Sequence, residues 1–407
     1  MTLQSMSAFN FSRRDIWHRN FKQWRRKCSR PTGRPHLFLV LLLVAVLLYR
    51  IGSDSNSEVP VIRNKVSSDS NLRTPRSQKV ATSIPQAVVV LLAPQRNANS
   101  MWNNVERFCF LRRAVRSIDR HLNAKFGPYP IVILVAKDHD QDPTHQDGAY
   151  TARDRALVEE WAIHSTIQWQ EIEMYSKDAL EPDVSLNQIL AWRRGEDGGQ
   201  EGRPLGYQSM CRLWSGRLQN FDILDGFDMY MRLDDDSLLV SDLDYDPFQR
   251  FIDRNLIYAY RRQASDHWGI QELWKVTEPH VLNPTVQKIN AATRLEFLQL
   301  TSPGSDNDKA EYQYDGKQPY NNFHISRVDF WRSPQWKSVM DDMDKNHLFF
   351  KHRVGDANVH AMALLMMGDQ LIEQWDDFPY AHNSNDMGGE WGPKEWKEEC
   401  YGNRKGM

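Results

Sequence analysis

Three consecutive carboxylates, Asp234-Asp235-Asp236, close the run Met229-Tyr230-Met231-Arg232-Leu233, whose alternation over 228–233 predicts a strand. Neighbouring like charges raise one another's pKa, so the triplet is costly unless something positive sits among the acids. Mg²⁺ and Mn²⁺ prefer carboxylate and phosphate oxygens, and their sites commonly combine one or two protein carboxylates with the phosphates of a substrate. The triplet therefore reads as a divalent-metal site with Asp234 and Asp236 as ligands; a solvated acidic turn is the plain alternative. A second candidate ligand is His360, at the end of Arg353-Val354-Gly355-Asp356-Ala357-Asn358-Val359-His360, which enters a helix continuing over 361–367. Neutral imidazole is a good Mn²⁺ ligand, and a helix amino-terminus favours the charge of a diphosphate. A hydrogen-bonded core histidine is the alternative for His360.

The elements around these residues predict an α/β body. Residues 87–93 (AVVVLLA) and 131–136 are apolar runs of strand length, which mark strands buried on both faces. Between them Val105, Phe108, Leu111, Val115, Ile118 and Leu122 recur at helical steps, with Asn103 or Asn104 as cap. Strand, helix and strand in this order make a βαβ unit and imply parallel pairing. Further helices are expected at 155–163 and 207–218 and a strand at 166–169, with surface loops at 195–203 and 303–318. In open α/β sheets ligands gather at the carboxyl ends of strands, which is where the acidic triplet falls.

The remainder of the chain is organised around a membrane. Of 407 residues, 41% are apolar and 26% charged, enough for a substantial core, and the net charge of −2 gives no concentrated basic field for nucleic acid. Residues 1–36 nevertheless carry nine Lys or Arg against the single acid Asp15, and the uncharged run 37–49 follows directly. These features predict a cytoplasmic basic tail (1–36) and a signal anchor (37–51), with the following chain in a lumen; the run is short, and a cleaved signal core is the rival. Residues 52–86 are rich in Ser, Asn, Pro and basic residues and lack aromatics, the composition of a flexible stem, which leaves 87–407 as the luminal domain. Of the four cysteines, Cys28 would be cytosolic, so Cys109, Cys211 and Cys400 allow one luminal disulfide at most. Trp268, Trp274 and Trp331 are of a type that stacks on the ring of a bound ligand, with burial in the core as the alternative.

Several blocks in order resemble the KTR-type α-1,2-mannosyltransferases of the fungal Golgi, glycosyltransferase family 15. Tyr207-Gln208-Ser209-Met210-Cys211-Arg212 with Ser215-Gly216 is similar to the family's YxxMCRxxSG segment. Phe227-Asp228-Met229-Tyr230-Met231-Arg232, continuing to Asp242-Leu243-Asp244-Tyr245-Asp246-Pro247-Phe248, resembles its YDYYxRxEPG…DxxYDPF stretch. Gly355-Asp356-Ala357 with Val359-His360 resembles GDAPVH, and Asn322-Phe323-His324-Ile325 falls where the family has NFEI.

The resemblance implies a GT-A type nucleotide-sugar-binding fold, a GDP-mannose donor, Mn²⁺, a glycan or glycoprotein acceptor, retention of anomeric configuration and a type II Golgi protein. By position it makes His360 a metal ligand. It sets Arg96, Tyr207, Arg212, Arg232 and Asp234 around the donor, with Asp356 near the sugar. Two departures stand out. Asp234-Asp235-Asp236 replaces Glu-Pro-Gly, and His324 replaces the glutamate that is the family's candidate nucleophile. The His324 imidazole is a candidate base or nucleophile, but a retaining double displacement normally uses a carboxylate. Three possibilities remain: front-face attack, another carboxylate such as Asp329 or Asp356, or lost activity. A UDP-sugar donor and an inactive glycan-binding relative are the competing functions.

Overall fold

The computed structural model describes residues 85–382 apart from 95–106, 139–148, 177–178, 182, 201–202, 284–297, 302–310 and 368–370. The expected tail, anchor, nearly all of the stem, the cap at Asn103 or Asn104, and Arg96 lie outside the described residues. Among the described residues no helix is long and apolar enough to cross a membrane.

The two apolar runs become β1 (Ala87–Leu92) and β2 (Ile131–Ala136), paired in parallel, with β3 (Ile167–Ile172) parallel beyond β2. On its other side β1 pairs in parallel with β4 (Met229–Leu233), the strand that delivers the acids. β5 (Ser237–Leu239), β6 (Tyr258–Tyr260) and β7 (Gln263–Ser265) follow. β8 (Leu298–Thr301) and β9 (Glu311–Tyr314) pair antiparallel, and β10 (Lys317–Pro319) pairs with β7. β11 (Phe323–Arg327) runs antiparallel between β4 and β6, β12 (Ile372–Gln374) closes the sheet against β6, and β13 (Tyr380–His382) pairs with β5. The result is a mixed seven-stranded sheet in the order β12-β6-β11-β4-β1-β2-β3.

Strand alternation sorts the core into two layers. Val88, Val90, Val132, Leu134 and Tyr230 face one, while Val89, Leu91, Ile131, Ile133 and Met231 face the other. With both faces apolar, the sheet needs helices on both sides. The helices are α1 (Arg107–Ile118), α2 (Ala152–Glu159), α3 (Leu186–Arg193), α4 (Leu205–Arg212), α5 (Pro247–Asp253), α6 (Ile270–Val281), α7 (Pro334–Lys345) and α8 (Asp356–Met366). α1, α2 and α5 contribute to the second layer, and α3, α4, α6, α7 and α8 to the first.

Local chemistry explains where expectation and structure part. α2 starts before residue 155 because Thr151 and Asp154 form a reciprocal capping box. The helix expected over 207–218 breaks after Arg212 into a wide turn, where a Cβ on Gly216 would come within 2.7 Å of Met340 Cγ. The loop expected at 303–318 contains β9 and β10, whose Tyr314 and Gln318 are buried. Cys109 is disulfide-bonded and Cys211 is a buried free thiol, in keeping with one disulfide and a residual cysteine.

A buried acid anchors the segment that leads to α8. Glu181, fully enclosed, faces His347 Nδ1 at 3.0 Å and accepts the Phe349 N–H at 3.3 Å. Burial pushes its carboxyl up to about 7, with His347 pulling the other way. A carboxyl whose folded pKa is raised holds its proton longer folded than unfolded, so its cost to stability grows as pH rises from about 4.5 to about 7. Urea unfolding of Glu181→Gln is therefore expected to lose part of the wild-type decline over that window, a difference of about 3 kcal/mol at its neutral end. Parallel pH profiles of the two proteins would refute this.

Candidate active site

The antiparallel register of β4 and β11 places Leu233 opposite Phe323, so the chain leaves β4 with Asp234 beside Asn322. The Asp234 N–H donates to the Asn322 carbonyl at 3.1 Å, and Asn322 Nδ2 donates to Asp234 Oδ2 at 2.5 Å. β5 carries the chain away, and its partner β13 sets His382 opposite Ser237. This pairing brings His382 Nε2 to 3.0 Å from Asp236 Oδ1. Ligand atoms of Asp234, Asp236 and His382 lie within 4.8 Å of one another. Two carboxylates and an imidazole form a hard-to-borderline donor set that fits Mn²⁺ and related cations. His382 Nδ1 lies 2.6 Å from the Tyr320 hydroxyl, the kind of outer hydrogen bond that fixes the ring of a metal-ligating histidine.

Arg232 ties this group to a second carboxylate. Buried at 2% exposure, it donates from Nε to Asp234 Oδ1 at 2.9 Å and from Nη1 to Asp356 Oδ2 at 2.5 Å, and its guanidinium carbon lies 4.3 Å from the Trp214 ring centre. Asn321 Nδ2 also donates to Asp356 Oδ2, at 2.9 Å. Burial opposes ionisation of Asp356, yet Arg232 and Asn321 hold its carboxyl below the usual range. Burial raises Asp234 despite Arg232. At Asp236 burial is outweighed by His382 and Arg107, which hold it down to about 2. Arg107, the first residue of α1, donates Nε to Asp235 Oδ2 at 3.0 Å and Nη2 to Asp235 Oδ1. The middle acid of the triplet is thereby committed to an arginine, while its neighbours join His382.

The expected residues divide. Asp234, Asp236, Arg232 and Asp356 form one continuous group, and Tyr207, 39% exposed, has Asp356 among its charged neighbours. His360 stands outside the metal-ligand group, against the expectation for it. Its Nε2 donates to the Trp214 carbonyl at 3.1 Å, which leaves Nδ1 to accept from the Tyr258 hydroxyl at 2.7 Å. Burial lowers its pKa to about 4, so the ring is neutral with its lone pair spent. It is the hydrogen-bonded core histidine of the alternative reading.

His324 is equally enclosed. Its Nδ1 donates to the Asn321 carbonyl at 3.2 Å, so Nε2 accepts from the Tyr230 hydroxyl at 3.2 Å, and Tyr258 stacks on the ring at 5.1 Å. It presents no lone pair to a substrate in this arrangement. Arg212, expected near the donor, instead spends its guanidinium on Asp344 at 2.8 and 2.6 Å and on the Ala179 carbonyl at 2.6 Å. Asp329 pairs with Arg327 on the surface, its side chain 70% exposed. Because Arg327 registers with Met229, four residues before Leu233 on β4, Asp329 lies at the opposite end of the sheet, roughly 13 Å away along the strand. Asp356 is thus the one of the three candidate catalytic residues that shares the site.

Sequence reasoning missed His382, Asn321, Asn322 and Arg107. The sequence signal for the asparagines was the NFEI-like block, which Asn322 opens and Asn321 precedes; His382 and Arg107 carry no local pattern and are recruited only by strand pairing and helix docking.

A mixed α/β sheet with an acidic, imidazole-bearing group at the carboxyl end of a central strand defines a GT-A type nucleotide-sugar transferase fold. Residues 54–400 match the family described as glycolipid 2-alpha-mannosyltransferase, and the chain belongs to that family. Relatives include the O-glycoside alpha-1,2-mannosyltransferase homolog 3 of Schizosaccharomyces pombe, 31% identical over 49% of this chain and 52% of the relative. Another is the alpha-1,2 mannosyltransferase KTR1 of Saccharomyces cerevisiae, 30% identical over 67% of this chain and 64% of the relative. The matched region thus spans about half to two thirds of these two relatives. Among solved structures, core-mannan synthase A of Aspergillus fumigatus in its Mn/GDP form superposes with a TM-score of 0.58 at 21% identity, covering 80% of this chain and 83% of that one. The mannosyltransferase Ktr4p of S. cerevisiae in complex with GDP gives 0.59 at 18% identity, covering 83% and 85%.

Proposed function

We propose that this protein is a retaining α-1,2-mannosyltransferase that moves mannose from GDP-mannose to a hydroxyl of a glycan or glycoprotein with the help of Mn²⁺ or a related divalent cation. The observation that carries the reading is the convergence of Asp234, Asp236 and His382 within 4.8 Å at the end of β4 in a chain of this family. These three residues would hold the cation, which when bound supplies Lewis-acid stabilisation of the departing diphosphate. Arg232 extends the positive charge from there towards Asp356, and Asn321 and Asn322 fix the two carboxylates it bridges. Asp356 accepts two hydrogen bonds on one oxygen and is poised to orient sugar hydroxyls.

His324 offers no free lone pair and Asp356 is held in place by Arg232 and Asn321, so the group contains no unconstrained nucleophile. Front-face attack by the acceptor, assisted by the leaving phosphate, suits that arrangement better than double displacement. The same observation favours a second reading, a relative that binds donor or glycan without turnover. The basic tail at 1–36 and the apolar run at 37–49 support a type II membrane protein with a luminal catalytic domain, and the family resemblance favours the Golgi.

Calorimetry of the full-length chain in detergent is expected to give tight GDP binding that requires Mn²⁺, with UDP weaker by about tenfold or more. Preference for UDP would move the donor to a uridine sugar, and binding of neither would sink the proposal. GDP binding without hydrolysis or transfer of mannose would establish the inactive relative.

A further inference from the structure

We propose that Trp268 and Arg353 form a subsite for a sugar ring of the acceptor glycan, beside the carboxylate group and away from the cation ligands. Of the three tryptophans suited by type to stacking on sugars, Trp274 and Trp331 are buried, whereas Trp268 is 50% exposed. An exposed indole offers a flat apolar face to whatever binds beside it.

Here it is held in place by three fixed elements. The Arg353 guanidinium lies over its ring, 3.9 Å from the centroid. The backbone N–H of Trp268 donates to Asp266 Oδ1 at 3.2 Å. The segment carrying it is gripped by two glycines at positive φ: a Cβ on Gly269 would meet the His352 carbonyl at 2.5 Å, and one on Gly316 would meet the Asp266 carbonyl at 2.5 Å. Arg353 itself adopts φ 58, unfavourable for an arginine, so its position too is imposed by its surroundings. A rigid, half-exposed aromatic face backed by a guanidinium suits a pyranose, whose C–H face covers the exposed side of the indole.

The chemistry around the pair and its position indicate the occupant. Arg203, Asp266 and Tyr207 surround Arg353, and Arg203 lies over the exposed Tyr207 ring at 5.2 Å. Tyr207 in turn neighbours Asp356. Arg353 is three residues before Asp356, so their Cα atoms are at most about 11 Å apart. The order cation ligands, Arg232, Asp356, Tyr207, Arg353, Trp268 is therefore a track that starts where the donor diphosphate belongs and ends at Trp268. A glycan running along it would place its reacting hydroxyl near Asp356 and a sugar further down the chain on Trp268.

The inference rests on the mannosyltransferase reading above, and its test separates the two. With the full-length protein, Mn²⁺ and GDP-mannose, transfer is measured to methyl α-mannoside, α-1,2-mannobiose and the corresponding mannotriose. The wild type is expected to show a KM at least fivefold lower for mannotriose than for methyl α-mannoside. Trp268→Ala should erase that advantage, raising the mannotriose KM about tenfold with kcat and GDP affinity unchanged, and Trp268→Phe should restore most of it. An unchanged mannotriose KM in Trp268→Ala overturns the subsite, as does a loss confined to kcat. If GDP binds but nothing is transferred, quenching of tryptophan fluorescence by mannotriose, absent in Trp268→Ala, replaces kinetics as the readout, and equal quenching in both proteins overturns it. Failure of the wild type to bind GDP at all is a failure of the donor assignment, and with it of the subsite.

Discussion

An Asp236→Asn protein is expected to lose Mn²⁺-dependent GDP binding and at least about a hundredfold in transfer rate, while its metal-free fold is retained. The carboxylate stands 3.0 Å from His382 Nε2 and shares with Asp234 the ligand atoms gathered at the end of β4. Losing it removes an anionic ligand and leaves the diphosphate's counter-ion weakly held. Thermal melting gives a readout independent of turnover. A ligand at about a hundred times its Kd adds roughly 2.7 kcal/mol to stability, so Mn²⁺ with GDP should raise the wild-type Tm and leave that of Asp236→Asn unmoved. His382→Gln should behave in the same way. His360→Gln provides the contrast, because both ring nitrogens are committed to Tyr258 and Trp214. That change should lower the metal-free Tm through unsatisfied buried partners and spare the increment due to Mn²⁺ and GDP. The reverse pattern, with His360→Gln abolishing the increment and His382→Gln preserving it, would remove His382 from the site and restore His360.

What could be read in the chain before folding followed from periodicity and from charge. The apolar runs at 87–92 and 131–136, the three- and four-residue steps of α1 and the abrupt acids after Leu233 each carry a local physical cost that only one placement relieves. They located the central strands and the two carboxylates that gather beside His382. β11 was not legible as a strand from periodicity because it lies between β4 and β6 with both faces covered, and the polar His324 and Ser326 it buries blur the apolar signal. The imidazole that joins the carboxylates was not legible for a related reason. His360 sits in a distinctive motif and His382 in an unremarkable one, but what counts is which ring nitrogen tertiary packing leaves facing the carboxylates and which it spends on core partners. Tyr258 and Trp214, more than a hundred positions upstream in the chain, decide that for His360. Arg212 misled similarly: its motif suggested the donor, and its guanidinium is consumed by Asp344 and Ala179.

Arg232→Met should be the most damaging single change to the folded site, costing about 3–5 kcal/mol in urea unfolding and nearly all transfer. The side chain is buried, and its loss strands the buried Asp356 and the half-buried Asp234 without the guanidinium between them. Burial already raises Asp234, so without the arginine protonation of both acids becomes the easier escape. If the damage arises from those stranded charges, adding Asp356→Asn to Arg232→Met should recover a sizeable part of the lost stability without recovering activity, a coupling expected of residues in direct contact. Arg232→Lys should fall between, because an ammonium keeps the charge but cannot send hydrogen bonds to both carboxylates from one rigid plane. Mn²⁺ offers a further discrimination. In Arg232→Met the cation takes over the charge that the arginine brought to Asp234, so the rise in Tm on adding metal should equal or exceed that of the wild type even though transfer is lost. If the metal increment vanishes together with Arg232, the arginine is needed to build the cation site itself, and the separation between a metal end and an Asp356 end of the group fails.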